Sequence, residues 1–209
     1  MRWRLLREEE GFTLTEMLVT MLVMIIVMFA LYSIFDMSLR IYGVGNDKIE
    51  ATENARIGLD KIARELRAAY PASKAGGKTQ LFWTPNSCLA GVMPTDTQVT
   101  FGNDLNGNRM ICSATTGLMD SGEQITYSVS GSTLLRNGQP AVEYLKDLDG
   151  DGKALTFKYM DSKGNTVTSN EATIARVHIK LEVAVDRGIH EQPMTQTLET
   201  DVALRNRKP

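Results

Sequence analysis

The sequence predicts an α+β fold in which one long N-terminal α-helix packs on an antiparallel β-sheet head. Three observations lead to this prediction. The 19 residues 17–35 carry no charge and are mostly apolar. Apolar residues then recur at three- and four-residue steps as far as Ala69, which is typical of an amphipathic helix. From Val177 to Val185 apolar and polar residues alternate, which is typical of a strand with one buried face.

The uncharged run is long enough to cross a membrane. A helix rises about 1.5 Å per residue, so this run covers roughly 28 Å, close to the ~30 Å hydrocarbon core of a bilayer. Arg2, Arg4 and Arg7 precede it. Positive charge on the N-terminal side favours a cytoplasmic N-terminus and a C-terminal domain outside. No small-residue cleavage site follows the run, so we expect a single-pass anchor in the inner (cytoplasmic) membrane and no cleaved secretory signal.

The helix is predicted to continue beyond the membrane and to end before Pro71, because proline cannot continue a helix. Its apolar face comprises Ile49, Thr52, Ala55, Leu59, Ile62, Ala63, Leu66 and Ala69. The opposite face carries charges at i,i+4 spacing, among them Lys61 with Glu65. Gly43 and Gly45 favour a hinge or a melted turn, since each costs about 1 kcal/mol relative to Ala. The alternative is that a continuous helix tolerates both.

The rest of the chain is predicted to form a β-rich head. The expected strands are 97–101, a hairpin of 125–129 with 133–136, a second hairpin of 155–159 with 166–168, and an antiparallel pair of 177–185 with 198–204. Such strands have one apolar face, and the apolar face of the helix is its natural cover.

The junction before the apolar run has a distinctive composition. Gly11 is followed by Phe12-Thr13-Leu14-Thr15-Glu16 and then at once by the apolar run. This junction resembles the prepilin-type cleavage and methylation signature of type IV pilins and type II secretion pseudopilins. The resemblance implies that a prepilin peptidase cuts between Gly11 and Phe12, that Phe12 is N-methylated, and that Glu16 is the carboxylate used in filament assembly. The acidic residues 8–10 depart from the basic residues that usually precede the glycine.

The chemistry of Glu16 can also be considered without the resemblance. A lone carboxylate near bilayer depth is disfavoured by a few kcal/mol. The α-ammonium of a cleaved Phe12 would lie on nearly the same helix face, at i and i+4. The same pair could form between neighbouring subunits and so order them by a fixed axial step. The alternative is that Glu16 lies in the headgroup layer as a helix-start residue.

Two further segments resemble the J-type minor pseudopilins and the W-type minor pilins. They are 53–69 in the helix and 202–207 at the C-terminus. The resemblance implies a minor pilin or pseudopilin whose partners are membrane lipid and other pilin or pseudopilin subunits, with the filament tip as one candidate position. The chain then divides into a leader at 1–11, a transmembrane and assembly helix at 12–35, its amphipathic continuation at 36–70, and the globular head at 71–209.

One loop has oxygen-bearing side chains at alternate positions, as EF-hand-type loops do when they bind Ca²⁺. These candidate ligands are Asp147, Asp149 and Asp151. The twelfth position, where an EF-hand has a bidentate glutamate, is Lys158. A closing carboxylate would therefore come from elsewhere, and Glu143 and Asp161 are the candidates.

A second loop, poorer in charge, has the same alternation. Its candidate ligands are Asp104, Asn106 and Asn108. The alternative for both loops is turn formation without a metal, because Asp, Asn and Gly are the usual turn residues. Some pseudopilins bind calcium, so the resemblance also allows Ca²⁺ as a cofactor.

Cys88 and Cys112 are the only cysteines. A head outside the membrane allows them to form a disulfide. The alternative is that they are two buried thiols.

No catalytic constellation is evident, and we expect a protein that is not an enzyme. His178 and His190 are isolated, and no phosphate-binding glycine loop or nucleophile elbow occurs. A net charge of −2 gives no global attraction for nucleic acid. Two alternative functions stay open: a DNA- or ligand-binding component of a competence pilus, and an uncleaved membrane-anchored extracellular domain.

Overall fold

The computed structural model describes residues 11–73, 79–85, 87–109, 111–112, 122–185 and 193–206, with only the backbone described at 72, 73, 79 and 87–91. Its elements are α1 Leu14–Ala68, β1 Ala72–Ser73, β2 Thr79–Gln80, β3 Trp83–Thr84, β4 Ser87–Gly91, β5 Gln98–Gly102, β6 Gln124–Ser130, β7 Thr133–Arg136, β8 Gln139–Val142, β9 Leu155–Met160, a 3₁₀ turn Glu171–Thr173, β10 Arg176–Val185 and β11 Met194–Ala203. The chain forms two compact units, Met1–Asn46 and Asp47–Pro209.

The long N-terminal helix is confirmed with the bounds Leu14–Ala68, two residues before Tyr70-Pro71. Helical structure is assigned across Gly43 and Gly45, so the melted turn that these glycines favoured is not formed. The hinge that the same glycines favoured stays a prediction.

The C-terminal part of α1 provides one side of the core of the Asp47–Pro209 unit. The predicted apolar face is buried from Ala55 onward, whereas Ile49 is exposed. Leu59, Ile62 and Leu66 belong to one cluster with side chains from both large sheets. Burying each such side chain contributes roughly 1.5–3 kcal/mol. The helix face predicted from the three- and four-residue steps is therefore the face that holds the sheets.

Gly58, which the sequence assigned to neither face, and Glu65, which it assigned to the polar face, both contact the sheet. Gly58 is buried against Val142 of β8, where an added Cβ would lie 2.0 Å from Val142 Cγ2. Glu65 does not pair with Lys61. Its carboxylate instead accepts a hydrogen bond from Tyr127 Oη at 2.6 Å and lies 3.0 Å from the Arg136 guanidinium.

The strands form two larger antiparallel sheets, where the sequence suggested one. One sheet has the order β5-β6-β7-β8 and the other β11-β10-β9, beside the two-stranded pairs β1-β2 and β3-β4. The hairpin β6-β7 is confirmed, and Gly131 in its turn has a φ of +59°. The strand expected at 166–168 is wrong, since Thr166 makes only an isolated bridge to Met160. Strand β8 was missed because it is only four residues long and contains Pro140.

The predicted antiparallel pair near the C-terminus is confirmed as β10-β11, with Val177 opposite Val202 and Leu181 opposite Leu198. Alternation along β10 holds as far as Leu181 and then stops, because Glu182 is buried as well. The α+β class, with a long apolar N-terminal helix and antiparallel sheets packed on it, is thus confirmed.

Candidate functional site

The start of α1 is built around Glu16. The Glu16 amide donates to Thr13 Oγ1 at 3.2 Å, and Glu16 Oε2 accepts from the Thr13 amide at 3.4 Å and from the Thr13 hydroxyl at 3.3 Å. This reciprocal arrangement is a capping box, which satisfies amide groups that the first helical turn leaves without partners. The Thr-x-x-Glu spacing signals such a box, and the sequence reading did not use it. Both Gly11 and Phe12 precede the helix and are exposed.

The helix that follows presents apolar side chains on every face. Each large hydrophobic residue from Met17 to Phe35 is about half exposed or more. An 18-residue window of this helix has a mean hydropathy of 2.7 and is 0 % buried. By length and composition the helix can cross a membrane, although a signal sequence would pass the same test. Lipid or other apolar helices are the environments that suit such a surface.

Residues 6–32 match the family model of the prokaryotic N-terminal methylation motif. The chain carries a prepilin signature. This signature is that of type IV pilins and pseudopilins, and it supports a pilin or pseudopilin in general. No significant match to the chain was found among curated proteins or among solved structures.

The prepilin signature carries further implications of a general kind. It implies processing by a peptidase and assembly with other pilin subunits. Together with the apolar helix it fits membrane anchoring and a surface filament. The pilin-type proteins that carry this signature have a structural role. The individual roles of Gly11, Phe12 and Glu16 stay predictions.

The loop at 147–152 folds around its own aspartates. Asp147 accepts hydrogen bonds from the amides of Gly150 and Gly152, both at 2.8 Å, and Asp149 Oδ1 accepts from the Asp151 amide at 3.2 Å. The two glycines have φ near +80°, a region that favours glycine. Carboxylate oxygens of the three aspartates lie within 4.8 Å of one another, and all three residues are exposed.

A buried carboxylate that the sequence reading missed lies beside this loop. Glu182 of β10 is 2 % exposed, and its Oε2 accepts from the Leu148 amide at 2.7 Å. Neither of the two candidates from sequence belongs to the carboxylate cluster. Asp161 instead accepts amide hydrogen bonds from Lys163 and Asn165 in its own turn. The alternating pattern of β10 predicted that Glu182 faces solvent. The sequence therefore did not indicate that its carboxylate contacts the loop.

Lys180 brings a positive charge into the same loop. Its Nζ lies 2.5 Å from Asp149 Oδ2 and 2.5 Å from Glu182 Oε1. The hydrogen bond from Lys180, followed by that from the Asp151 amide, lowers the pKa of Asp149 to about 2. The hydrogen bonds that Lys180 donates to Asp149 and to Glu182 raise the pKa of Lys180 above its ordinary value. A metal ion here would compete with this ammonium, and calcium at the loop stays a prediction.

The loop at 104–109 repeats the hydrogen bonds of the first loop at the same spacing. Asp104 accepts from the amides of Gly107 at 2.8 Å and Arg109 at 2.9 Å, and Asn106 Oδ1 accepts from the Asn108 amide at 2.8 Å. Gly107 and Arg109 both have positive φ. The two loops therefore share one local architecture, which their Asp, Asn and Gly spacing produces.

The remaining candidate residues are the two cysteines and the two histidines. Cys112 is buried, and the side chain of Cys88 lies outside the described residues, so their disulfide stays a prediction. His178 Nδ1 lies 3.0 Å from Asp201 Oδ1 on the β10-β11 pair. His190 lies outside the described residues.

Proposed function

We propose that the protein is a minor pilin or pseudopilin, a structural subunit that is cleaved after Gly11, N-methylated at Phe12 and assembled into a filament. The observation that carries the proposal is that the prepilin signature, at residues 6–32, coincides with an apolar helix whose most hydrophobic window is 0 % buried. Such a helix would move from lipid into a bundle of similar helices without losing an apolar environment. Arginines at 2, 4 and 7 support a cytoplasmic N-terminus and an outward-facing C-terminal unit.

Glu16 is the residue that would couple processing to assembly. Thr13 lies after the cut, so the capping box can persist in the mature chain. Thr13 makes two contacts with the Glu16 carboxylate, and both are to Oε2, at 3.3 and 3.4 Å. No residue that the structure describes donates to Glu16 Oε1. Oε1 is therefore available for the α-ammonium that cleavage creates at Phe12. A charged donor makes a shorter and stronger hydrogen bond than a neutral hydroxyl.

The partner amine can belong to the same chain or to a neighbouring subunit. Within one chain, the four-residue separation places Phe12 and Glu16 on one face at the start of the helix. Between chains, each amine would neutralise the carboxylate of the next subunit. The second arrangement would set the axial step of the filament and would remove the cost of a lone carboxylate near the membrane.

The minor-subunit assignment is supported by the resemblance of 53–69 and 202–207 to J-type pseudopilins and W-type pilins. The large β-rich unit that these segments help to build would present the surface of the subunit outside the membrane. No observation in the described residues specifically favours DNA binding or an uncleaved anchor, and both stay predictions.

Two variants separate an assembly role for Glu16 from a helix-capping role. Glu16→Gln keeps an oxygen that can complete the capping box but removes the charge, whereas Thr13→Val removes the cap and keeps the charge. We expect Glu16→Gln to be processed but excluded from filaments, and Thr13→Val to be incorporated. Intact mass gives the N-terminus, and sheared filament fractions give incorporation.

Two results would overturn the proposal. The first is a chain that still begins at Met1 in cells that contain the prepilin peptidase. The second is a Glu16→Gln chain that enters filaments as efficiently as the wild type. If Thr13→Val alone fails to assemble, Glu16 acts through helix capping, and the charge-pair account is wrong.

A further inference from the structure

Glu123 has a buried carboxylate oxygen that accepts no hydrogen bond from the described residues. The residue is 1 % exposed and immediately precedes β6. Its Oε1 accepts from the amides of Leu105 at 3.0 Å and Asn106 at 3.2 Å, which places the carboxylate against the 104–109 loop. Its Oε2 is buried and has no hydrogen-bond partner in the part of the chain that the structure describes.

A second oxygen of the same kind lies at the start of the loop. Asn103 Oδ1 is also buried and without a hydrogen-bond partner among the described residues. The Asn103 amide donates to the Glu123 carbonyl at 3.0 Å, so the two residues are neighbours across the sheet edge. Burying a polar group without a partner costs roughly 1–3 kcal/mol, and more when the group is charged. Two such oxygens beside one loop are acceptors that a cation would satisfy.

The 147–152 loop shows how the corresponding position is neutralised elsewhere in this protein. There the buried glutamate, Glu182, also accepts from a loop amide, and its second oxygen meets the Lys180 ammonium at 2.5 Å. At the 104–109 loop, Glu123 takes the position of Glu182, and no ammonium group is described at Oε2. The sequence favoured the more acidic loop as the metal site, whereas the pattern of unpaired oxygens favours the less acidic one.

We propose that the 104–109 loop and Glu123 bind a divalent cation of the Ca²⁺ type. The proposed ligands are Asp104 and Asn106 from the loop, with Glu123 Oε2 as the buried closing carboxylate and Asn103 and Asn108 as neighbouring amide oxygens. Asp104 and Glu123 together supply two negative charges, which match one divalent ion. An all-oxygen set from a loop suits Ca²⁺, whereas Mg²⁺ requires near-ideal octahedral geometry. This proposal is independent of filament assembly.

Calorimetric titration of the full-length chain with CaCl2 tests the proposal. The protein would be held in detergent micelles after removal of bound metal by a chelator, and MgCl2 would be titrated in parallel. We expect a saturable Ca²⁺ site that Glu123→Gln weakens by at least about tenfold, because the charged ligands set the affinity of such a site. Asp104→Asn, a second isosteric variant, should weaken it likewise.

Asp149→Asn is the matched control, since it makes the same change in the other loop. It should leave the Glu123-dependent site unchanged. Calcium should also raise the thermal midpoint of the wild type and of Asp149→Asn, but not that of Glu123→Gln. If Glu123→Gln fails to fold by circular dichroism, Asp104→Asn decides the result.

Three outcomes would overturn the proposal. One is a wild-type chain that binds no Ca²⁺ at millimolar concentration. Another is binding that persists unchanged in Glu123→Gln and in Asp104→Asn. The third is binding that only Asp149→Asn abolishes, which would assign the ion to the 147–152 loop.

Discussion

Replacing Gly58 with alanine tests the contact between α1 and the four-stranded sheet. The new Cβ would lie 2.0 Å from Val142 Cγ2, with Val142 Cβ at 3.5 Å and the Ala141 carbonyl oxygen at 3.6 Å. A contact of 2.0 Å is far inside van der Waals distance, so Val142 or the helix must shift. Val142 is 0 % exposed, so its γ-methyl has little room to rotate away.

Two opposing terms set the size of the effect. Overpacking a core position costs typically about 1–3 kcal/mol. Exchanging glycine for alanine within a helix gains about 1 kcal/mol of helix propensity. We therefore expect Gly58→Ala to lower the free energy of unfolding by roughly 0–2 kcal/mol. Val142→Ala alone should lower it by about 1–3 kcal/mol, because it leaves a cavity beside Gly58.

The double variant gives the decisive measurement. Once Val142 has been shortened, the alanine at 58 fills part of the cavity and keeps its propensity gain. Gly58→Ala should then raise stability by about 1 kcal/mol, which corresponds to a midpoint shift of roughly 2–4 °C for a chain of this size. Denaturant unfolding of the four chains, followed by near-ultraviolet circular dichroism, completes a double-mutant cycle. A coupling energy near zero would refute the packing described between Gly58 and Val142.

Two further predictions concern charged groups of the same unit. Tyr127→Phe removes the phenol that donates to the Glu65 carboxylate, and we expect a loss of about 1–2 kcal/mol in the free energy of unfolding, with Arg136 retaining its contact; an unchanged unfolding midpoint would contradict this expectation. The pKa of Asp149, lowered to about 2 by Lys180, means that the stability from this pair is fully present above about pH 4 and is lost as pH falls towards 2. Unfolding midpoints measured between pH 2 and 6 should therefore depend less on pH in Asp149→Asn than in the wild type.

The helix was the most predictable part of the fold because its information is local. Nineteen uncharged residues, a repeat of three and four residues and a terminating Pro71 were enough to give its bounds, predicted at 12–70, within two residues at either end. The pair β10-β11 was predictable for the same reason, since alternation runs through most of both strands. The turn expected at Gly43 and Gly45 was wrong, because a propensity penalty of about 1 kcal/mol per glycine does not by itself end a helix.

Two features were missed for different reasons, a partner that is distant in sequence and a proline inside a strand. Glu65 was assigned to the solvent face because Lys61 stands four residues before it, but its real partners are Tyr127 and Arg136. Strand β8 was missed because Pro140 lies within it, and a proline usually argues against a strand. The partners of Glu65 stand 62 and 71 positions away, which no local pattern reports, whereas β8 pairs with the neighbouring strand β7 and was hidden by its own proline.

Glu123 and Glu182 are the clearest case of information that only the fold supplies. In sequence Glu123 stands between Gly122 and Gln124, and Glu182 lies at a polar position of an alternating strand, so nothing separates either from a solvated side chain. In the structure each is almost fully buried and accepts from the amide of a loop residue that follows an aspartate, Leu105 in one case and Leu148 in the other. The loops are alike in their Asp, Asn and Gly spacing, so the difference between them lies in the strands. Lys180 neutralises Glu182, whereas no described cation reaches Glu123. The proposed choice of the 104–109 loop as the cation site therefore rests on Lys180, two residues before Glu182, whereas a count of acidic residues in the loops alone gives the opposite ranking.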